Sequence, residues 1–124
     1  MPEKEEKILY FCTHASDEPE KAAMPFVMAS AALAMDIKTI VVLQGQGVYL
    51  ALKGYVETMS KPGGFPPMAK LLSEYLELGG ELRVCVPCIK DRNIDESTLV
   101  EGARTTAAGE LNVEAMAADA VFVY

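Results

Sequence analysis

Apolar runs and helix-spaced apolar positions alternate along the chain. Lys7-Ile8-Leu9-Tyr10-Phe11-Cys12-Thr13 is nearly continuous in strand formers, with charge before it and His14-Ala15-Ser16-Asp17 after it. A strand covered on both faces shows no polar alternation, so this run reads as a buried parallel strand. Over residues 21–35, Ala22, Phe26, Ala29 and Leu33 recur three or four apart, the spacing of one helix face. Pro25 falls inside that segment and must occupy the first turn or kink the helix. Lys38-Thr39-Ile40-Val41-Val42-Leu43 is a second strand, Gln44-Gly45-Gln46-Gly47 a turn, and residues 48–55 a short helix.

Residues 60–67 are a loop by their Pro and Gly content. Met68, Leu71, Leu72 and Tyr75 set a helix over 68–78, which Gly79-Gly80 ends. Leu82-Arg83-Val84-Cys85-Val86 is the third strand, and one or two helical turns from Pro87 to Arg92 follow, with Asn93 a left-handed cap. A helix or turn starts at Asp95, and residues 99–106 show no decisive period. A helix over 111–117 leads to a closing strand, Ala120-Val121-Phe122-Val123-Tyr124. The order β-α-β-α-α-β-α-β predicts an α/β fold, a three-layer α/β/α sandwich with a mostly parallel sheet. The expectation is one domain over residues 1–124.

Composition narrows the function classes. Apolar residues make up 51% and charged ones 23%, which excludes disorder. Lysine plus arginine is 11 against 18 acids, a formal charge of −7, which argues against direct nucleic-acid binding. No apolar run approaches the roughly 20 residues of a membrane span. The charged start, Met1-Pro2-Glu3-Lys4-Glu5-Glu6-Lys7, lacks the apolar region of a secretory signal. Three cysteines, an odd number, then point to reduced thiols and a cytoplasmic location. With no tryptophan and 7% aromatics, stacking on bases or sugars is a weak reading.

Ligands of open parallel sheets bind at the carboxyl ends of the strands. Three clusters fall there: Cys12 with His14, the turn Gly45-Gln46-Gly47, and Cys85 with Cys88. Cys85-Val86-Pro87-Cys88 is a CxxC with redox, metal and sulfur-transfer readings. A helix beginning near Pro87 would favour a thiolate at Cys85, the nucleophilic form. Cys88 is either a second reacting thiol or a small packed hydrophobe. The thioredoxin motif follows an early strand, whereas this one follows the third. Cys12, His14, Cys85 and Cys88 together make a three-sulfur, one-imidazole set of the kind that binds zinc. His14, the sole histidine, is otherwise a solvated loop residue or a general base near a thiol. Gly45, Gln46 and Gly47 lack the G-x-G-x-x-G pattern of dinucleotide sites, and read as a tight turn bringing backbone close to a small ligand. Lys90 and Arg92 either attract an anionic partner or are solvated surface charges.

The run Leu82-Arg83-Val84-Cys85-Val86-Pro87-Cys88-Ile89-Lys90-Asp91-Arg92-Asn93-Ile94 resembles the cysteine segment of the DsrE/DsrF-like family of sulfur-relay proteins. The Ala-rich helix after the first strand, Gly45-Gln46-Gly47-Val48 after the second, and the short closing strand are similar too, so the likeness covers most of the chain. Asn93 stands where relatives often have glycine, and asparagine also visits the left-handed region. The resemblance implies a small α/β domain that assembles as a homotrimer or hexamer and needs no cofactor. It implies that Cys85 accepts sulfane sulfur as a persulfide from a protein donor and passes it to a protein acceptor. Cys12 and His14 lie outside the resemblance. Three readings stand beside one another: a sulfur carrier, an oligomeric small-ligand or zinc-binding protein, and a Cys85/Cys88 thiol–disulfide redox protein.

Overall fold

Strands buried on both faces need helices on both sides, and the chain supplies them. The computed structural model describes residues 5–124; the first part of the charged start, residues 1–4, lies outside them. Strands β1 (Lys7–Cys12), β2 (Lys38–Leu43), β3 (Glu81–Cys85), β4 (Ala103–Thr106) and β5 (Ala120–Val123) form one sheet. Its order is β4-β3-β2-β1-β5, and every pairing is parallel. Helices α1 (Pro19–Ala34), α2 (Met68–Glu77), α3 (Val86–Asp91) and α4 (Ala108–Ala117) connect the strands in turn. Three 3-10 stretches, Gly45–Ala51, Val56–Thr58 and Glu96–Thr98, lie in the loops.

From β1 to β4 the chain steps one strand at a time toward one edge. Helix α4 then carries it back to the opposite edge for β5. Because parallel crossovers are right-handed, that reversal puts α4 on the other face of the sheet. The buried side chains sort accordingly. Tyr10, Cys12, Val41, Leu43, Leu82 and Val84 pack with Phe26, Ala29, Leu72 and Tyr75 on the α1–α2 face. Leu9, Ile40 and Val42 pack with Leu111 of α4 on the other. Helix α4 is also tied to the sheet by the Arg83–Glu110 and Lys7–Glu114 ion pairs. Among the described residues no helix is long and apolar enough to cross a membrane.

Three helices end in the same way. Asp36, Gly79 and Asn93 follow α1, α2 and α3 with φ of +62°, +89° and +55°. The next residue's N–H in each case turns back to a carbonyl of the last turn: Ile37 to Ala32, Gly80 to Tyr75, Ile94 to Ile89. These are Schellman caps, and Asn93 is the left-handed residue expected from the sequence.

Other boundaries differ from the sequence reading. Helix α1 starts at Pro19, whose fixed φ suits a first turn. Pro25 is therefore not in the first turn but buried inside the helix. The expected turn at 44–47 and helix at 48–55 are instead one 3-10 helix, Gly45–Ala51, and a separate 3-10 turn. Strand β4 lies in the segment that showed no period. It is four residues long, sits at the sheet edge and carries an exposed Arg104. Helix α4 begins at Ala108, three residues before the expected start.

Candidate functional site

The carboxyl ends of β1, β2 and β3 bring the predicted clusters to one rim. Gln44 leaves β2 with its N–H donating to the Cys12 carbonyl, at 3.0 Å. The 3-10 helix then packs directly on the end of β1. A Cβ on Gly47 would lie 2.1 Å from the Cys12 carbonyl oxygen, so no other residue fits. Gly45 holds φ +52°, and its N–H donates to Cys88 Sγ at 3.3 Å. The glycines thus approach the protein's own groups, Gly47 the first strand and Gly45 a thiol, while Gln46 is exposed.

Cys85 ends β3 and is the N-cap residue of α3, with extended backbone. Pro87 fills the first turn, Cys88 follows it, and buried Ile89 anchors the helix to the core. Both cysteines are half-buried and neither is in a disulfide. Burial pushes the Cys85 thiol up, and the Cys88 thiol beside it adds to that effect. The Cys88 backbone N–H and the Arg92 guanidinium pull the other way, and the net result lies above the ordinary 9.0. This corrects the expectation that the helix start would favour a Cys85 thiolate. A six-residue helix offers little field, and loss of water outweighs it.

Cys12 is a different kind of thiol. It is fully buried in the α1-side core, and its Sγ–H is directed at the His14 and Ala22 carbonyls, 3.5 and 3.9 Å away. Burial pushes it up to about 12, so it stays protonated and inert. His14 turns to Asp17 instead, with Nδ1 2.7 Å from Oδ2. The other Asp17 oxygen accepts the Ala15 N–H at 2.8 Å. Partial burial raises the Asp17 carboxyl, but the Ala15 N–H and His14 outweigh it and hold it below the usual range. The four candidate zinc ligands therefore do not converge. Among the described residues no group of three or more His, Cys, Asp or Glu is placed to hold a metal ion.

Around Arg92, already singled out in the sequence, the structure adds Tyr49, Tyr55 and Ser16, which spacing did not. Arg92 Nη1 donates to the Cys88 carbonyl at 3.1 Å, and its guanidinium lies 5.9 Å from the centre of the Tyr49 ring. Tyr49 stacks on Tyr55 with ring centres 5.5 Å apart. The Tyr55 hydroxyl donates to Ser16 Oγ at 2.7 Å and accepts from the Ser16 N–H. A polar and aromatic chain thus spans the rim from the exit of β1 to α3. Arg92 is a partnered member of it, whereas Lys90 is exposed. An open recess lined by Glu74, Glu77 and Leu78 lies at the start of β3, the opposite end of the sheet from Cys85.

The chain is similar to several known proteins. Two uncharacterized proteins of Methanocaldococcus jannaschii, MJ0760 and MJ0989, are each 32% identical to the chain over 85% of its length. The match spans 38% of MJ0760, so the chain covers well under half of that relative, and 88% of MJ0989. The ychN protein of E. coli superposes with a TM-score of 0.79 at 21% identity, over 96% of this chain and 99% of that one. MTH1491 of Methanobacterium thermoautotrophicum, a protein of unknown function, gives 0.70 at 11% identity, over 98% and 100%. These two likenesses establish the fold. The model of the DsrE/DsrF-like family matches residues 6–124, every strand and both Cys85 and Cys88 included, and the chain belongs to that family.

Proposed function

We propose that this protein is a sulfur carrier whose Cys85 holds sulfane sulfur as a persulfide between a donor and an acceptor protein. The observation that carries the reading is a free, half-exposed thiol where β3 ends, beside the Arg92 guanidinium. In loading, the Cys85 thiolate attacks the outer sulfur of a donor persulfide. A bond forms between Cys85 Sγ and that sulfur, the donor's S–S bond breaks, and the donor leaves as a thiolate. In delivery an acceptor thiolate attacks the same outer sulfur, and Cys85 departs as the thiolate. Arg92 offsets negative charge at Cys85 in both steps. Family membership supports this reading, and the burial of Cys12 leaves Cys85 and Cys88 as the accessible thiols.

A homotrimer or hexamer belongs to the same proposal. Val113 and Met116 of α4 and Val121 and Val123 of β5 are exposed, an apolar surface that subunits could bury. A monomeric mass by sedimentation would remove that part. The carrier itself is tested by peptide-resolved mass spectrometry after exposure to a persulfide donor without reductant. One added sulfur atom on Cys85 immediately after exposure, absent in Cys85→Ser, is the expected result. An unloaded Cys85 in a folded protein that also lacks Cys88 would end the proposal.

A further inference from the structure

Cys88 stands where a carrier needs nothing. A single thiol accepts and passes on sulfane sulfur, yet a second half-buried thiol lies one helical turn from Cys85. Cys85 is the N-cap residue and Cys88 the third residue of α3, positions whose side chains meet across the first turn. Residues three apart on a turn have Cβ atoms about 5–6 Å apart. Disulfides hold Cβ atoms about 3.5–4.5 Å apart, so a closure of about 1–2 Å suffices. The Gly45 N–H, 3.3 Å from Cys88 Sγ, is a donor aimed at this second sulfur. Its carrier loop is fixed, because Gly47 is wedged against the Cys12 carbonyl. Arg92, on the Cys88 carbonyl and over Tyr49, fixes the same turn from its other side. Cys88 is thus held as a reacting group is held, and its thiol is not submerged in the core as that of Cys12 is.

We infer that Cys88 is a resolving thiol, which attacks a Cys85 persulfide at Cys85 Sγ, closes a Cys85–Cys88 disulfide and expels the outer sulfur as hydrosulfide. The inference rests on the loading of Cys85 proposed above. Cys88 gives its proton to solvent, and its electron pair forms the new S–S bond. The bond between Cys85 Sγ and the outer sulfur breaks, and that bond's electron pair leaves with the outer sulfur, which keeps its own proton. The Cys88 sulfur is oxidised and the outer sulfur reduced, so no external oxidant is needed. A dithiol reductant then reopens the bridge, itself becoming a disulfide. The Gly45 N–H stabilises charge on Cys88 as the thiolate forms. The site therefore has two exits for its sulfur: transfer to an acceptor thiol, or release as sulfide when no acceptor attacks first.

The test loads full-length wild type, Cys88→Ser, Cys88→Ala and Cys85→Ser with a low-molecular-weight persulfide, removes the donor, and follows each protein without reductant. Released sulfide and alkylated peptides are measured together. Wild type is expected to lose its extra sulfur, release a stoichiometric amount of sulfide and acquire a disulfide within one chain between Cys85 and Cys88. Both Cys88 variants are expected to keep one extra sulfur on Cys85, and Cys85→Ser to carry none. Wild type that holds the Cys85 persulfide as long as the Cys88 variants, with no disulfide and no sulfide, overturns the resolving role and leaves the carrier intact. Failure of the Cys88 variants to load at Cys85 overturns the carrier reading and the resolving role with it.

Discussion

Cys12 and Cys85 end strands separated only by β2, yet the same functional group has different chemistry in each. Cys12 is sealed in the core with its proton held near two carbonyls, while Cys85 meets solvent, a second thiol and a guanidinium. Burial raises both thiols, but only Cys85 has a cation pulling against it. Arg92→Gln removes that cation, so the thiolate fraction at neutral pH falls. Alkylation of Cys85 there should slow by roughly threefold, and its pH profile should move to higher pH. Arg92→Lys keeps the charge and should leave the profile near wild type, since the Asp91 carboxylate 3.9 Å away offsets either cation alike. Rates followed by peptide-resolved alkylation against pH decide it, and coincident profiles for all three proteins would reduce Arg92 to packing. The CxxC itself was legible in the sequence. The influence of Arg92 was not, because its partner Tyr49 comes from a distant segment that only folding brings alongside.

Element type followed the strength of the periodic signal. The strands β1 and β2 were read to within a residue because burial on both faces leaves long β-branched and apolar runs. Strand β4 was not, because four residues at an edge, three of them polar and Arg104 exposed, carry no such run. The 3-10 helix Gly45–Ala51 was split into a turn and a helix, since its tighter winding leaves no 3.6-residue pattern. That element also corrects the reading of its glycines, which serve packing against β1 and Cys88. Gly47→Ala drives a methyl into backbone and should cost about 3 kcal/mol or prevent folding. Gly109→Ala, in α4 with nothing within 4 Å of the added methyl, should instead stabilise by about 0.5 kcal/mol. Urea midpoints of the two variants on either side of wild type would bear this out. A Gly47→Ala midpoint equal to wild type would contradict the close seating of the 3-10 helix on β1.

At the scale of the molecule, the burial that makes the α1–α2 face stable also sets its limit in alkali. Cys12 is pushed up to about 12 by burial, and burial likewise raises Tyr75 and Tyr10 above their ordinary 10.0. All three lie in one apolar cluster and must stay neutral for it to hold together. In the unfolded chain the thiol ionises near 9.0 and the tyrosines near 10.0. Above those values the unfolded state binds fewer protons than the folded one, so stability falls as pH rises. Their contribution is complete below about pH 9 and is lost progressively toward pH 12. The net charge of −7, growing as these groups ionise, adds self-repulsion in the same direction. Stability measured by urea should therefore be level around neutrality and decline from about pH 9, before the tyrosines alone would require it. Cys12→Ala should lower stability at neutral pH by about 1–2 kcal/mol through the small cavity it leaves. It should also soften the alkaline decline above about pH 9, because the fully buried thiol is gone and only the half-buried Cys85 thiol still resists ionising there. A decline equally steep with and without Cys12 would place the alkaline weakness in Cys85, the tyrosines and the net charge, not in the thiol at the end of β1.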